Sequence, residues 1–386
     1  MITKVFIICS GLGHALRGYE SFTRECFDDL KKEPLIDITL FKGGGRSADK
    51  EIVLWNLPQR NWLGTRLGQI TQAFGQIVKG HSSYNAYYIE QLTFTISLLP
   101  YIHQYKPDVI YFSDQSLGDF LGIWRQFSKQ QYKLLFCDGA PMSPDSPRCD
   151  HIQRLTPFHL QTALEHGVPT EKQTLLPYGA NISPNLEILT PSKREELRRK
   201  LDLPEKCPLV LSVAAINSSH KRMDYLIREI ASLPEPRPYL LLLGQQDSES
   251  PPIIQLGEEL LGDCNFQVRT VSFMEVKNYY LAADCFVLAS VSEGLGRVLI
   301  EAMSYGLPCL VHDYLVTQFV LKDQGYYADF SKTGSLTNLI NRVLSQGLNH
   351  SLSHLRHRSV YERFSWDRIR PIYVQMIQNC AQQVVS

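Results

Sequence analysis

The sequence predicts an α/β protein of two domains, each a parallel sheet covered by helices, with a cleft between them. Three observations predict it. The chain has 386 residues, more than one ordinary core accommodates. Short apolar runs alternate with helix-length stretches, which is the pattern of βαβ units. That alternation runs through each half of the chain in turn.

In the first half Val5-Phe6-Ile7-Ile8 reads as a buried strand, Gly11-Leu12-Gly13 as the loop behind it, and Tyr19 to Leu30 as a helix. Ile36 to Phe41 is a second strand and ends at Gly43-Gly44-Gly45. Pro107 to Phe112 and Lys133 to Phe136 are further strands followed by turn residues. The second half offers Pro208 to Val213, Tyr239 to Gly244, Cys285 to Leu288 and Pro308 to Val311 as strands, with Tyr225 to Leu233 an amphipathic helix. A join is expected near Pro177-Tyr178-Gly179-Ala180-Asn181. Lys193 to Lys200 carries two glutamates among its basic residues at helical spacing and reads as a solvated helix face, and His354-Leu355-Arg356-His357 as an exposed one.

Composition narrows the function classes. Lys+Arg and Asp+Glu number 39 each, so the chain lacks the basic excess that general nucleic-acid binding needs. Nine cysteines without a C-x-x-C pair argue against a disulfide framework or zinc ribbon and for reduced core thiols. The first residues flow into glycines without the apolar stretch of a signal peptide, and no run reaches the roughly eighteen apolar residues of a membrane span. A cytoplasmic protein is expected. Trp62 through Lys79 mixes apolar and basic residues, either a peripheral membrane contact or a helix or lid of the first domain.

The chemistry concentrates in Ser290 to Met303, between the strand Cys285 to Leu288 and a helix that stops near Gly306-Leu307-Pro308. Gly294 and Gly296 let backbone N–H groups approach a ligand without a Cβ in the way. A helix starting near Arg297 adds the positive end of its dipole, a natural anion site. Glu293 before that helix and Glu301 inside it can accept hydrogen bonds from hydroxyls on opposite flanks of one ligand.

Glu293 and Glu301, with seven residues between them within S-x-x-E-G-L-G-R-V-L-I-E-A-M-x-x-G-L-P, resemble the signature of glycosyltransferase family 4. These are retaining enzymes of GT-B fold, with two Rossmann-like domains facing a central cleft and a C-terminal helix crossing back to the first. The resemblance runs from the first strand to Ser365-Trp366-Asp367, sharply in the second half and loosely in the first. It implies an acceptor-side domain over residues 1–182, a nucleotide-sugar domain over 183–365, and a crossing helix over 366–386. By that resemblance Glu293 holds hydroxyls of the donor sugar and Glu301 the ribose. Amides of Gly294, Leu295 and Gly296 hold the sugar, and those of Arg297 and Val298 the phosphate.

Other segments agree in order. Val213 to Ile227 resembles the first loop of the family's second domain, where Lys221, with Arg222 next, would neutralise the departing diphosphate. The family usually adds an arginine where this chain has Ala214-Ala215-Ile216, so either Arg222 or Arg297 compensates or donor activation is weaker than usual in the family. Gly244 matches the strand-ending glycine near the base, and the backbone of Phe273 and Met274 the nucleobase contact. Gly11 and Gly13 resemble the N-terminal glycine loop that faces diphosphate and acceptor; their spacing misses the dinucleotide fingerprint of an NAD enzyme. His14 is an acceptor-side candidate or a helix cap, and Arg17 a phosphate or acceptor partner or an ion pair with Glu20. Many relatives carry histidine where Cys137 stands, which leaves Asp138 as the polar candidate. Asp114 is an acceptor-side candidate or a helix cap. Trp55, Trp62, Tyr84, Tyr87 and Tyr88 line an acceptor pocket or pack a core.

The resemblance thus implies a hexosyltransferase that moves a sugar, with retention, from a nucleotide-diphosphate donor to a hydroxyl. The expected donor is a UDP-sugar, and the acceptor a small molecule, glycan or lipid-linked sugar. No D-x-D pair or metal-spaced His/Asp cluster stands in the sequence, so no metal cofactor is expected. A nucleotide-sugar epimerase or hydrolase on the same fold, or a non-catalytic nucleotide-sugar-binding partner, are the alternatives.

Overall fold

The computed structural model describes residues 2–14, 18–58, 86–139 and 148–383. Two compact units emerge, one of Met1–Gly179 with Ile369–Ser386, the other of Ala180–Arg368.

In the first unit β1 (Thr3–Cys9), β2 (Ile36–Lys42), β3 (Glu51–Val53), β4 (Val109–Phe112), β5 (Lys133–Asp138), β6 (His151–Arg154) and β7 (Gln173–Leu175) form one sheet. Its order is β3-β2-β1-β4-β5-β6-β7, parallel throughout. Central strands β4 and β5 are buried at every position, as expected where helices cover both faces. Strand order reverses between β1 and β4, which opens a crevice at their carboxyl ends. From Ile369 on, the helix Trp366–Gln382 belongs to this unit. There the fully buried Tyr373 accepts from Gln153 Nε2 at 2.8 Å and donates to the Pro177 carbonyl at 2.9 Å.

The second unit repeats the plan with β8 (Leu209–Val213), β9 (Tyr239–Leu243), β10 (Phe266–Arg269), β11 (Cys285–Leu288), β12 (Cys309–His312) and β13 (Tyr326–Ala328). The order β10-β9-β8-β11-β12-β13 is again all parallel, reversing between β8 and β11. The helix Met223–Ala231 places Met223, Leu226, Ile227 and Ile230 on one stripe, and these pack with Val210, Leu240 and Leu242 of the sheet.

Two surface expectations are corrected. The helix Pro191–Lys200 exists, but it is no purely solvated face. Arg198 is buried, donating to the carbonyls of Ala282 and Cys207 at 2.8 Å each and to Asp284 at 2.6 Å, while Arg194 takes the other Asp284 oxygen at 2.8 Å. In the helix His350–Phe364, His354 and Leu355 are exposed while Arg356 and His357 turn inward, where His357 Nδ1 lies 2.7 Å from the Ser304 carbonyl. Among the described residues no helix is long and apolar enough to cross a membrane.

Candidate functional site

Within the second unit the loops after β8, β9 and β11 leave the sheet at its carboxyl edge, on either side of the reversal. Gly244 ends β9 because nothing larger fits: a Cβ there would stand 1.7 Å from the Ala214 carbonyl oxygen. Lys221 rides on the loop after β8. Asn217 Oδ1 accepts the Lys221 N–H at 2.8 Å, and Glu249 gathers the amides and hydroxyls of Ser218 and Ser219 at 2.7–3.1 Å. Those hydrogen bonds, led by the Ser219 hydroxyl, hold the Glu249 carboxyl at about 2.

Lys221 Nζ reaches Glu293 Oε1 at 2.5 Å, and Ser290 Oγ donates to the same oxygen at 2.6 Å. Glu293 is 9% exposed, so its carboxylate is specified by neighbours rather than by water. Nearby, the His220 ring Nε2 sits 3.1 Å from the Ser292 carbonyl. Arg222 diverges from its neighbour. It adopts the left-handed conformation at φ 51°, donates to the Phe330 carbonyl at 3.1 Å and covers the Tyr225 ring at 4.3 Å. The arginine expected beside Lys221 therefore braces β13's exit loop.

Gly296, at φ +71°, turns the chain into the helix Arg297–Ser304. Arg297 is buried with its Nε 3.6 Å from Glu301 Oε1. The other Glu301 oxygen accepts from Tyr280 OH at 3.1 Å. Tyr280 stacks on Tyr305 at 5.4 Å, and burial, reinforced by the Glu301 charge, raises its hydroxyl well above the ordinary range, which keeps it a donor. Phe273 and Met274 open the helix Phe273–Ala282 with exposed side chains, anchored by Ser272, whose N–H and Oγ both donate to Glu275. Thus Lys221 meets Glu293 and Arg297 meets Glu301. Among the described residues no hydrogen bond or ion pair joins Arg222, Gly244, Phe273 or Met274 to either pair. Ser290, Tyr280, Tyr314, Asn217 and Glu249 complete the arrangement; Ser290 opens the signature, and the other four were not singled out from the sequence.

In the first unit the loop bearing Gly11 and Gly13 packs on Gly43-Gly44, and the Gly44 N–H donates to the Leu12 carbonyl at 3.0 Å. Gly13 has φ +94°, and a Cβ on it would stand 2.3 Å from Gly44 backbone. His14 Nε2 lies 3.3 Å from Asn56 Oδ1. Beneath them Ser10 Oγ donates to Glu90 at 2.9 Å and accepts from Gln91 at 2.6 Å. Asp138 is buried against Arg154, whose Nε donates to Gln173 at 2.7 Å; burial raises its carboxyl, opposed by Arg154. The Cys137 thiol is pushed up to about 12 by burial, so it is no nucleophile at neutral pH. Asp114 stands at the N-cap position of the helix Gln115–Ser128 with its side chain on Tyr87 OH, not on the helix amides. Tyr88 packs edge-on to Phe120, and Trp55 is exposed. Arg17, Trp62, Tyr84 and the segment 62–79 lie outside the described residues.

Residues 193–360 match the family described as glycosyl transferases group 1, a stretch that contains Lys221, Glu293, Arg297 and Glu301. The lipopolysaccharide core biosynthesis glycosyltransferase LpsE of Rhizobium meliloti (strain 1021) is 28% identical over 184 residues, 47% of this chain and 52% of that protein. The chain therefore spans about half the length of this curated relative. Sucrose-phosphate synthase from Thermosynechococcus elongatus superposes with a TM-score of 0.76 at 18% identity, covering 97% of this chain and 98% of its own. HepE of Anabaena, solved with UDP and glucose, gives 0.74 at 15% identity, covering 97% and 99%. The fold is α/β, two parallel sheets with helices, as in GT-B glycosyltransferases.

Proposed function

We propose that the chain is a retaining glycosyltransferase of family 4 that moves a sugar from a UDP-sugar to a hydroxyl acceptor without a metal ion. One observation carries this reading. A cation, Lys221, and a carboxylate, Glu293, are locked together at the carboxyl edge of a parallel sheet, beside a helix that opens on a left-handed glycine. In this reading Lys221 and the amides of Arg297 and Val298 stabilise the diphosphate as it leaves, which is where charge develops. Glu293 accepts hydroxyls of the donor sugar, and Glu301 those of the ribose. The acceptor attacks from the face the nucleotide leaves, so the anomeric configuration is kept. The uridine donor is supported by the UDP and glucose bound to HepE. Acceptor recognition is assigned to the first unit, with His14, Asp114 and Asp138 as its polar candidates. The nine free cysteines fit a reducing, cytoplasmic setting.

Release of UDP from a panel of UDP-sugars, with and without acceptor, tests the reading. Glu293→Ala and Lys221→Ala should each lose about 100-fold or more in kcat. Wild-type activity should survive EDTA, and the first-formed product should keep the donor's anomeric configuration by NMR. Equal turnover in wild type and Glu293→Ala would remove the site assignment. Turnover of donor to an epimer or free sugar alone would replace transfer with epimerisation or hydrolysis.

A further inference from the structure

At the opposite, amino-terminal edge of the second sheet lies a separate pocket of about 410 Å³. It is lined by Pro308, Tyr326, Gln346, Asn349, Leu352 and Arg356 among others, and none of its lining residues is a carboxylate. Pro308 precedes β12 and Tyr326 opens β13, whereas Lys221 and Glu293 follow the far ends of β8 and β11.

Three features give this pocket a positive character. Arg356 is 5% exposed, yet among the described residues no carboxylate pairs with it. Its Nη groups donate to the Gly306 carbonyl at 3.2 Å and to Tyr326 OH at 3.3 Å, and its Nε has no hydrogen-bond partner among the described residues. A buried guanidinium held only by neutral groups retains most of its demand for an anion. Beside the lining, Arg342, which among the described residues has no carboxylate partner, covers the Tyr326 ring at 5.6 Å while Arg356 covers it at 5.7 Å. Finally, Asn349 caps the helix His350–Phe364 by accepting the Leu352 N–H at 3.1 Å, so the first amides of a 15-residue helix open at the pocket wall.

We propose that this pocket is a second ligand site that binds a small phosphorylated molecule of about monosaccharide-phosphate size. The phosphate sits between the helix start and Arg356, and the neutral polar groups Gln346 and Tyr326 face the remainder of the ligand. A volume of about 410 Å³ falls in the range of small-molecule sites.

Isothermal titration of the full chain with glucose 1-phosphate, with glucose as the uncharged control, tests this. The expected result is saturable binding of glucose 1-phosphate and none of glucose. Asn349→Asp keeps a good helix cap while adding a negative charge at the pocket wall, and should weaken binding at least tenfold. Arg356→Gln should do the same, and Lys221→Ala, at the other edge of the sheet, should leave binding unchanged. Should Arg356→Gln fail to fold, Asn349→Asp decides alone. No saturable binding up to 10 mM, full binding by Asn349→Asp, or loss of binding in Lys221→Ala would each overturn the proposal.

Discussion

Tyr314 engages both main-chain polar groups of Glu293: its hydroxyl accepts the Glu293 N–H at 2.5 Å and donates to the Glu293 carbonyl at 2.7 Å. The ring belongs to the turn after β12 and stacks on His312 at 6.2 Å, so β12 sets the position of a residue that follows β11. Tyr314→Phe removes both bonds but keeps the ring. We expect kcat to fall about tenfold with KM for the donor little changed, because the Glu293 carboxylate loses its fixed direction. Stability should fall by only about 1 kcal/mol. Steady-state kinetics beside chemical denaturation separate the two effects.

Tyr280 acts on the other carboxylate. Its bond to Glu301 leaves the second oxygen to Arg297 and to a ligand. Tyr280→Phe should weaken UDP binding about three- to tenfold, the loss expected for one hydrogen bond to a charged group. The same substitution should have a smaller effect on binding of a UDP analogue lacking the ribose hydroxyls. Calorimetric titration of both ligands checks this, and equal losses would detach Tyr280 from ribose recognition.

Gly244 is required by crowding. Its backbone comes so close to Ala214 that a methyl group would lie 1.7 Å from the carbonyl oxygen. Gly244→Ala must push β8 and β9 apart at their carboxyl ends, and should destabilise the second unit by about 1–3 kcal/mol or more. A lower urea midpoint at unchanged slope would show it.

His159 gives the first unit an acid limit. Burial first, and the Arg154 charge second, lower its imidazole from 6.5 to about 4. Its Nδ1 lies 2.9 Å from Thr156 Oγ1. Unfolded chains then bind a proton that the folded state refuses between those values. This contribution is complete above pH 6.5 and is lost as the pH falls toward 4, by up to ~1.4 kcal/mol per unit. Urea midpoints measured from pH 7 to 4 should drop less steeply in His159→Gln than in wild type.

Much of this was legible in the sequence because it is written locally. Buried parallel strands are continuous apolar runs, and the Glu293–Glu301 segment has a glycine-rich turn at a strand-to-helix junction. Three-residue strands such as β3 and β13 carry no such run. Tyr314, Tyr280 and Glu249 act on residues 20 or more positions away, so no spacing announces them. Arg356 and Arg198 were read as solvent-facing because charge suggests exposure. Each is instead buried by contacts with main-chain carbonyls, which leave no trace in side-chain pattern.

The first unit is assembled from two stretches of chain that enclose all of the second. Ile377 and Tyr373 are fully buried, and Arg370 pairs with Asp29 at 2.9 Å, so the late stretch supplies part of the early unit's interior. During synthesis the usual order, first domain first, cannot be completed here. Residues 1–179 must wait on the ribosome with an open flank until Ile369 and its successors emerge, by which time the uninterrupted second unit is already available to fold. Truncation of the chain after Arg368 should therefore yield a protease-resistant second unit beside a first unit that is still cut.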